Sequence, residues 1–311
     1  MLPIRWRRDE GLEELTGYLR RLAERVEVVV VDGSPPEVFA RHARAWPAPI
    51  RHLPPHPDLR YAFGKVNGVI TGVREASHER VVLADDDVRY DDADLARVTA
   101  LLDDAELVRP QNHFSPLPWH ARWDSARSLV NRALSGDYPG TFALRRGFFL
   151  EMGGYDGDVL FENLELMRTV AGAGGRVLTP LDLFVRRLPP TAAHFWSQRV
   201  RQAYDDFALP ARMAVFLAIL PAIALAPGRL RGRLALALGA GAVALAETGR
   251  RRGGGRRAFP PDLALFAPVW VLERAVCCWL AVGTRVARGG VPYGDVVLTR
   301  SATPARRLRR A

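Results

Sequence analysis

A short apolar run that ends in three carboxylates constrains this chain more than any other stretch. Val81–Ala84 is predicted to be a buried strand, and Asp85, Asp86 and Asp87 follow it directly. Burying three like charges without compensation costs several kcal/mol each, so the cluster must lie at the strand end, open to solvent. Hard carboxylate oxygens in that position suit Mg²⁺ or Mn²⁺. The alternative is an acidic turn that caps the next helix.

The chain before this cluster alternates between strand and helix patterns. Apolar residues spaced for one helix face cover Glu10–Leu22, and a β-branched strand pattern covers Glu27–Val31. That strand stops at Asp32, which is followed by Gly and Ser, as at the carboxyl edge of a parallel sheet. The alternation predicts an α/β fold with a doubly wound sheet, in which ligands bind outside the carboxyl ends of the strands.

Lysine usage singles out one residue. The chain has 44 basic residues, and Lys65 is the one lysine among them. Where arginine supplies almost every cation, a retained lysine suggests a site that needs a compact point charge rather than a planar guanidinium. Retention by chance is the alternative.

The C-terminal part combines apolar stretches with arginine. Three stretches are apolar, Leu209–Ala226, Leu234–Ala246 and Leu263–Val282, and the last carries Glu273 and Arg274 at its centre. Each is marginal against the roughly 20 residues that a membrane-spanning helix needs. The net charge of +10 comes from arginines that dominate after about residue 186. Because no nucleic-acid recognition pattern accompanies them, we expect a membrane partner and no nucleic acid.

These patterns predict five segments. Residues 1–192 are predicted to form the α/β domain, and 193–208 an interfacial amphipathic helix that contains Gln198 and Arg201. Residues 209–248 form a membrane helical hairpin, 249–261 a basic linker, and 262–311 a hydrophobic or interfacial helix with a basic tail. The alternative for the C-terminal part is a buried helical domain that contacts no membrane. The only two cysteines, Cys277 and Cys278, are adjacent and are expected to be reduced packing residues.

Six short motifs follow one another along residues 1 to about 205. They are Val31–Ser34, Gly64–Gly68, Asp85–Val88, Gly153–Asp156, Phe161–Leu166 and Gln198–Gln202. No single motif is specific, but in their order and spacing together the chain resembles the family 2 glycosyltransferases with a GT-A fold, in particular membrane-attached members such as ceramide and hopanoid glucosyltransferases. The resemblance implies a Rossmann-like mixed sheet flanked by helices, with C-terminal hydrophobic or interfacial helices.

The resemblance also implies an activity. It is inverting, metal-dependent transfer of a sugar from a nucleotide-diphosphate donor, UDP in preference to GDP, to a hydroxyl of a lipid or lipid-linked acceptor. The catalytic domain would lie in the cytoplasm at the cell membrane. Pro3, Asp32, Lys65 and Asp85 would bind the donor nucleotide. Asp85 and Asp87 would hold Mg²⁺ or Mn²⁺, whereas Asp86 would point away.

Glu162, Gln198 and Arg201 are the implied catalytic residues. Glu162 would take the proton of the acceptor hydroxyl, and Arg201, on the helix with Gln198, would stabilise the leaving diphosphate. The chain departs from the family at two positions. Asn163 stands where an aspartate commonly serves as base, so either Glu162 or Glu165 takes that role or the motif aligns differently, and Gln202 replaces a tryptophan. Two rival functions remain open. One is a processive polysaccharide synthase, and the other, suggested by Asn163 and Gln202, is a non-catalytic nucleotide-sugar-binding or scaffold protein.

Overall fold

The computed structural model describes residues 1–7, 11–293 and 296–308. The strands, numbered along the chain, are β1 Leu2–Ile4, β2 Val29–Asp32, β3 Arg51–Leu53, β4 Arg80–Ala84, β5 Val88–Arg89, β6 Leu107–Val108, β7 Gln111–Phe114, β8 Thr141–Arg145, β9 Val177–Leu178, β10 Phe184–Arg187, β11 Val291–Tyr293 and β12 Val296–Leu298. The α-helices are α1 Leu12–Ala23, α2 Pro36–Ala45, α3 Gly64–Glu75, α4 Asp92–Ala100, α5 Trp119–Leu134, α6 Arg146–Glu151, α7 Glu162–Gly172, α8 Ala192–Ser197, α9 Arg199–Tyr204, α10 Pro210–Leu225, α11 Gly228–Arg251, α12 Ala267–Arg288 and α13 Ala305–Leu308.

The chain forms two compact units. Unit 1 consists of Met1–Pro110, Pro139–Leu178 and Pro304–Ala311, and unit 2 of Gln111–Tyr138 and Thr179–Thr303. The predicted start of the first helix at Glu10 and the last residues of the predicted basic tail, 309–311, lie outside the described residues.

Unit 1 is built on a mixed sheet. β1, β2 and β3 are parallel to one another. Main-chain hydrogen bonds join β1 to β4, because the amino group of Met1 donates to Val82 O at 2.8 Å and Ala84 N donates to Met1 O at 3.1 Å. β8 then pairs antiparallel with both β4 and β6, and β6 pairs parallel with β9. The predicted α/β class with a mixed sheet is confirmed.

The first core of unit 1 follows from the spacing of apolar residues. On α1, Leu15, Tyr18 and Leu19 fall on one buried face, as a 3.6-residue period requires. This face packs against the apolar side chains of β1 and β2. The fully buried members of this core are Leu2, Ile4, Leu15, Tyr18, Leu19, Val28, Val30, Trp46 and Ile50.

Glycine lets α3 approach β1 closely. A Cβ built on Gly68 would lie 2.8 Å from Cβ of Pro3, closer than real Cβ contacts, so a side chain at this position would push the helix away. Lys65 precedes Gly68 by about one turn and therefore lies on the same side of α3. The close contact thus brings the single lysine toward the end of the sheet.

Unit 2 is mainly helical, with two small strand pairs. The long helix α11 packs along α5 and also contacts α12. β7 and β10 pair in parallel, and β11 and β12 form an antiparallel pair. Neither pair is predicted by the sequence pattern. β7 lacks the apolar pattern of a strand because it begins with a buried polar residue, Gln111. The side chain of Gln111 accepts a hydrogen bond from the Arg132 guanidinium at 3.1 Å.

Two predicted helices of unit 2 have different boundaries. The helix predicted over 193–208 is two short helices, α8 and α9, that meet at Gln198. The apolar stretch Leu234–Ala246 lies within the longer α11. Among the described residues, one helical stretch, Pro261–Arg288, is long and apolar enough to cross a bilayer on length and composition alone, and α10 is too short.

Candidate active site

A pocket in unit 1 lies where α3 and α7 face the ends of β4 and β8. Its polar side chains come from five separate places in the sequence, one of them Thr141, and apolar residues such as Val69, Leu83 and Leu166 complete its wall. The lining residues with chemistry or motif membership are Pro3, Lys65, Asp85, Tyr155, Glu162 and Asn163. The ends of the strands therefore bring together residues that are up to 160 positions apart in the sequence.

Lys65 lies between two carboxylates in this pocket. Its Nζ is 2.6 Å from Asp85 Oδ1 and 2.7 Å from Glu162 Oε1. Burial lowers the pKa of the Lys65 ammonium, but the charges of Asp85 and Glu162 overcome this effect and raise the pKa above its ordinary value. Lys65 therefore remains a cation in the pocket across the physiological pH range.

Glu162 is held from two sides. It is the first residue of α7, where the helix dipole favours a negative charge. Lys65 contacts its Oε1, and the hydroxyl of Tyr155 donates to its Oε2 at 3.4 Å. Burial, followed by the charge of Glu162, raises the pKa of Tyr155 well above its ordinary value, so the phenol stays protonated and remains a donor.

The neighbour of Glu162 is engaged elsewhere. Asn163 Nδ2 donates to the main-chain oxygen of Pro139 at 3.0 Å. The next residue, Gly140, accepts a hydrogen bond from Asp85 N at 2.8 Å through its carbonyl oxygen. The loop before β8 thus ties the start of α7 to the carboxylate cluster after β4, and Asn163 contributes to this positioning.

The three carboxylates after β4 have different surroundings. A turn closes between Asp85 and Val88, whose N donates to Asp85 O at 3.1 Å. Asp85 faces the pocket, whereas the carboxylate of Asp86 accepts a hydrogen bond from the Trp6 indole. Asp87 lies in the same turn but is not a pocket-lining residue.

The pocket residues fit a divalent cation by their chemistry. Asp85 and Glu162 present carboxylate oxygens, the ligand type that Mg²⁺ and Mn²⁺ prefer. One ammonium between two carboxylates leaves a net negative charge, as a cation site requires. One oxygen of each carboxylate, Asp85 Oδ1 and Glu162 Oε1, already contacts the Lys65 ammonium. A metal bound by Asp85 would therefore have to share this carboxylate with the lysine.

Asp32 lies at the carboxyl end of β2, as predicted for that strand, but it does not line the pocket. Its Oδ2 is 2.6 Å from His42 Nδ1 and 3.0 Å from His52 Nε2, and its Oδ1 accepts from Ser34 N at 2.9 Å. Burial raises the pKa of Asp32, but hydrogen bonds from His52, Ser34 and His42 outweigh it and lower the pKa to about 2. Asp32 is therefore a buried, ionised hydrogen-bond acceptor.

Asp32, His42 and His52 could also act as metal ligands, because their candidate donor atoms lie within 4.8 Å of one another. The distances of 2.6 and 3.0 Å from Asp32 Oδ2 are hydrogen-bond distances. In the present arrangement both histidines donate to the carboxylate, and the three side chains form a hydrogen-bonded cluster.

Gln198 and Arg201 belong to unit 2. Arg201 Nη1 donates to Gln198 Oε1 at 2.8 Å, and its guanidinium lies 5.1 Å from the ring centre of Tyr293. The first and fourth positions of the Gln-x-x-Arg motif are thus paired across the junction of α8 and α9.

Three residues without a predicted role contact predicted site residues in the structure. Tyr155 was noted only as part of the Gly153–Asp156 motif, although its phenol reaches Glu162. His42 and His52 were not considered. The register of β3 on β2 explains the position of His52, which lies opposite Val30. Val30 is two residues before Asp32, so the side chains of His52 and Asp32 lie on the same face of the sheet.

Comparisons with known proteins give structural similarities alone. No family model matches the chain, and no curated protein matches it. A mannosyltransferase from Pyrobaculum calidifontis in complex with GDP-Man and Mn²⁺ superposes with a TM-score of 0.47 and 21% identity, covering 94% of this chain and 75% of the other. Glucosyl-3-phosphoglycerate synthase from Mycobacterium tuberculosis, in complex with Mn²⁺, UDP and phosphoglyceric acid, has a TM-score of 0.42 and 13% identity, covering 63% and 72%.

A third similar structure is a putative nucleotide-diphospho-sugar transferase from Desulfovibrio desulfuricans G20, with a TM-score of 0.37 and 8% identity over 61% of this chain and 80% of the other. Because all three TM-scores lie below 0.5, these superpositions carry no argument about activity. The function is argued from the residues of this chain.

Proposed function

We propose that this protein is a metal-dependent, inverting glycosyltransferase. It moves a sugar from a nucleotide-diphosphate donor, UDP in preference to GDP, to a hydroxyl group of a lipid or lipid-linked acceptor. The observation that carries the proposal is the contact of Lys65 with both Asp85 and Glu162 in one pocket at the strand ends of unit 1. This pocket contains a cation, a candidate metal ligand and a candidate base.

Glu162 is the candidate base for the acceptor hydroxyl. A base must be ionised and held in a defined direction. Glu162 lies at the start of α7, where a negative charge is favoured. One of its oxygens contacts the Lys65 ammonium and the other accepts from the Tyr155 hydroxyl, and both contacts favour the ionised carboxylate. Asn163 cannot accept a proton, and its side chain is bonded to Pro139 O. These contacts support Glu162 in the role that the family commonly gives to the next position.

Asp85 and Asp87 are the candidate ligands for Mg²⁺ or Mn²⁺. When bound, the metal would neutralise charge that develops on the leaving diphosphate. The ammonium of Lys65 would add a second positive charge on the same side of the pocket. Gln198 and Arg201 remain candidates for leaving-group stabilisation, since an arginine forms charge-assisted hydrogen bonds with phosphate oxygens.

Pro3 and Asp32 remain candidates for the nucleotide end of the donor. Pro3 lines the pocket, and strand pairing places it opposite Val31, one residue before Asp32. The lipid acceptor, the cytoplasmic catalytic domain and the membrane attachment rest on the apolar and arginine-rich C-terminal helices. The predicted division into 1–192, 193–208, 209–248, 249–261 and 262–311 also remains a proposal.

The decisive experiment measures release of nucleoside diphosphate. Purified full-length protein is incubated with UDP-sugars or GDP-sugars, Mn²⁺ and a lipid extract, and free UDP or GDP is quantified. We expect UDP release that requires the metal and increases with the lipid extract. Asp103→Asn, an exposed carboxylate paired with Arg80, serves as the matched control for Asp85→Asn.

The rivals give different outcomes. Nucleotide binding without release from any donor would support the non-catalytic protein and contradict the enzyme. A polymer that grows on one acceptor would support the processive synthase. If UDP and GDP neither bind nor are released, the nucleotide-sugar assignment is wrong altogether.

A further inference from the structure

Helix α12 has two faces of different character. Its buried face contains Trp270, Arg274, Cys278 and Ala281. Its exposed face carries large apolar side chains at intervals of three, four and seven residues, which places them on one side of the helix. We name this face the α12 stripe, and it consists of Val269, Leu272, Val276, Trp279, Leu280 and Val286.

The two charged residues in the middle of α12 are turned into unit 2. Glu273 Oε2 accepts from the indole of Trp123 at 3.2 Å and lies 3.6 Å from Arg199 Nη1. The guanidinium of Arg274, whose side chain is 1% exposed, lies 3.7 Å from Asp206 Oδ2. If α12 crossed a bilayer at this level, these charged partners would have to enter the hydrocarbon with it, which is costly.

The chain segment that contains the stripe is basic. Residues 209–288 contain twelve arginines and three acidic residues, so this segment accounts for most of the net charge of +10. The three acids are paired within unit 2: Glu247 with Arg250 and Arg251, Asp262 with Arg122, and Glu273 with Arg199. Exposed arginines in the same segment include Arg229, Arg231, Arg233, Arg256, Arg257 and Arg288.

We propose that the α12 stripe binds an anionic phospholipid bilayer with the helix lying in the membrane plane and both of its ends on the same side. An amphipathic helix in this orientation buries its apolar face at the boundary between headgroups and acyl chains, while arginines contact anionic lipid phosphates. The half-exposed indole of Trp279 is a side chain that favours this boundary. This inference deepens the membrane attachment in the proposed function by naming its surface and orientation.

The first test is co-sedimentation with vesicles of phosphatidylcholine, alone or mixed with phosphatidylglycerol. We expect binding to the anionic vesicles that weakens in high salt. Leu272→Glu combined with Leu280→Glu should weaken this binding about tenfold or more, because each change puts a charge on the stripe that would enter the bilayer. Leu134→Glu, at an exposed leucine on α5, is the matched control and should leave binding within about twofold.

The second test separates an in-plane helix from a spanning one. Arg257→Cys and Arg288→Cys replace exposed residues that flank the apolar segment and lie outside the stripe, so a helix in the membrane plane leaves both thiols accessible. The unmodified chain reports the background from the buried Cys277 and Cys278. Protein is bound to preformed anionic vesicles and treated with a maleimide that cannot cross membranes. Labelling at both positions supports the proposal, whereas protection of one position means that α12 crosses the bilayer and overturns it.

Two further outcomes would also overturn the proposal. Equal binding of the double glutamate variant and the parent protein would show that the stripe does not contact lipid. A dimer in vesicle-free solution that the double variant dissociates would assign the stripe to a second copy of this chain. UDP release with a soluble acceptor or water is measured in parallel, so that a failure of membrane binding is distinguished from a failure of the proposed activity.

Discussion

At the scale of single residues, the chain uses its one lysine where an arginine would fit poorly. Lys65 Nζ reaches Asp85 and Glu162 at 2.6 and 2.7 Å from a single atom. An ammonium is a compact point charge that can be shared by two separate carboxylates, whereas a guanidinium is a planar fork that favours one carboxylate bound side by side. The contact geometry therefore gives a physical reason for a lysine at this position.

Glu162→Gln tests the candidate base. The amide is nearly the same size and can still contact Lys65 and Tyr155, but it cannot take a proton. We expect turnover to fall by about 10²- to 10⁴-fold with donor affinity within about threefold of the parent. The measurement is UDP release together with calorimetric UDP binding.

Glu151→Gln on α6 changes an exposed carboxylate and is the control for Glu162→Gln. A turnover of the Glu162→Gln variant near that of the parent would move the base to another residue, and Glu165→Gln would then be the next variant to measure.

The ionisation of Asp32 makes the free energy of unfolding depend on pH. Its folded pKa of about 2 lies below the ordinary value of 3.8, so ionisation of Asp32 stabilises the fold at every pH above 3.8. This contribution, about 2 kcal/mol, is lost as the pH falls from about 4 to about 2. Asp32→Asn should therefore be less stable than the parent by about 2 kcal/mol or more at pH 7 and by much less near pH 2. Urea unfolding at several pH values measures the difference.

The exposed pair of Asp103 with Arg80 is the control for Asp32, because Asp103→Asn should cost less than about 1 kcal/mol at any pH. A pH-independent loss in Asp32→Asn would contradict the ionised cluster with His42 and His52.

At the scale of helices and strands, close approaches depend on residues without a side chain. Gly68 lets α3 contact Pro3 of β1, and Gly249 lets α11 contact the main chain of α5. A Cβ on Gly249 would lie 1.8 Å from the carbonyl oxygen of Leu129, which cannot move without displacing α5. The helix pair of unit 2 is therefore sensitive to a single added methyl group.

Gly249→Ala and Gly241→Ala give opposite expectations on the same helix. The first should destabilise the protein by about 2 kcal/mol or more, because it overpacks a contact between two main chains. The second meets nothing within 4 Å and should stabilise the protein by up to about 1 kcal/mol, since alanine favours a helix over glycine. Thermal or urea unfolding compares the two variants. Equal effects would mean that α11 does not pack on α5 as described.

At the scale of the whole molecule, charge is divided between parts of the chain. The pocket of unit 1 presents carboxylates around one ammonium, whereas residues 209–288 of unit 2 carry twelve arginines and three acids. The candidate cation site therefore lies in unit 1, and the arginine-rich segment lies in unit 2. The proposed membrane would contact unit 2, whereas the candidate residues for the donor are Pro3, Asp32, Lys65, Asp85 and Asp87 of unit 1 together with Gln198 and Arg201 of unit 2.

Ligand binding should be visible in the unfolding of the whole molecule. On the proposed function, UDP and Mn²⁺ bind only the folded state, and together they should stabilise it by roughly 2 to 3 kcal/mol when UDP is about a hundredfold above its dissociation constant. Either component alone should have a smaller effect. Asp87→Asn should abolish the part that depends on Mn²⁺ while leaving the fold intact. The midpoint of thermal unfolding reports these differences, and an unchanged response of Asp87→Asn to Mn²⁺ would remove Asp87 from the metal site.

Much of unit 1 was predictable because its elements follow local rules. Val81–Ala84 is a strand and α3 begins at Gly64, as their apolar patterns and flanking residues predict. β7 and β10 were not predictable from pattern, because Gln111 in β7 is a buried polar residue whose partner, Arg132, is 21 positions away. The break between α8 and α9 at Gln198 was missed because the sequence there has no proline or glycine to mark it.

The sequence by itself determined the α/β class, the acidic cluster at the end of one strand, the singular Lys65 and the basic, apolar C-terminal part. Each of these follows from composition or from residues close together in the chain. The tertiary structure alone decided which of these residues touch. It placed Lys65 between Asp85 and Glu162, enclosed Asp32 with His42 and His52, and turned Glu273 and Arg274 of α12 inward. These contacts join residues far apart in sequence, and only the packing of helices and strands fixes their distances.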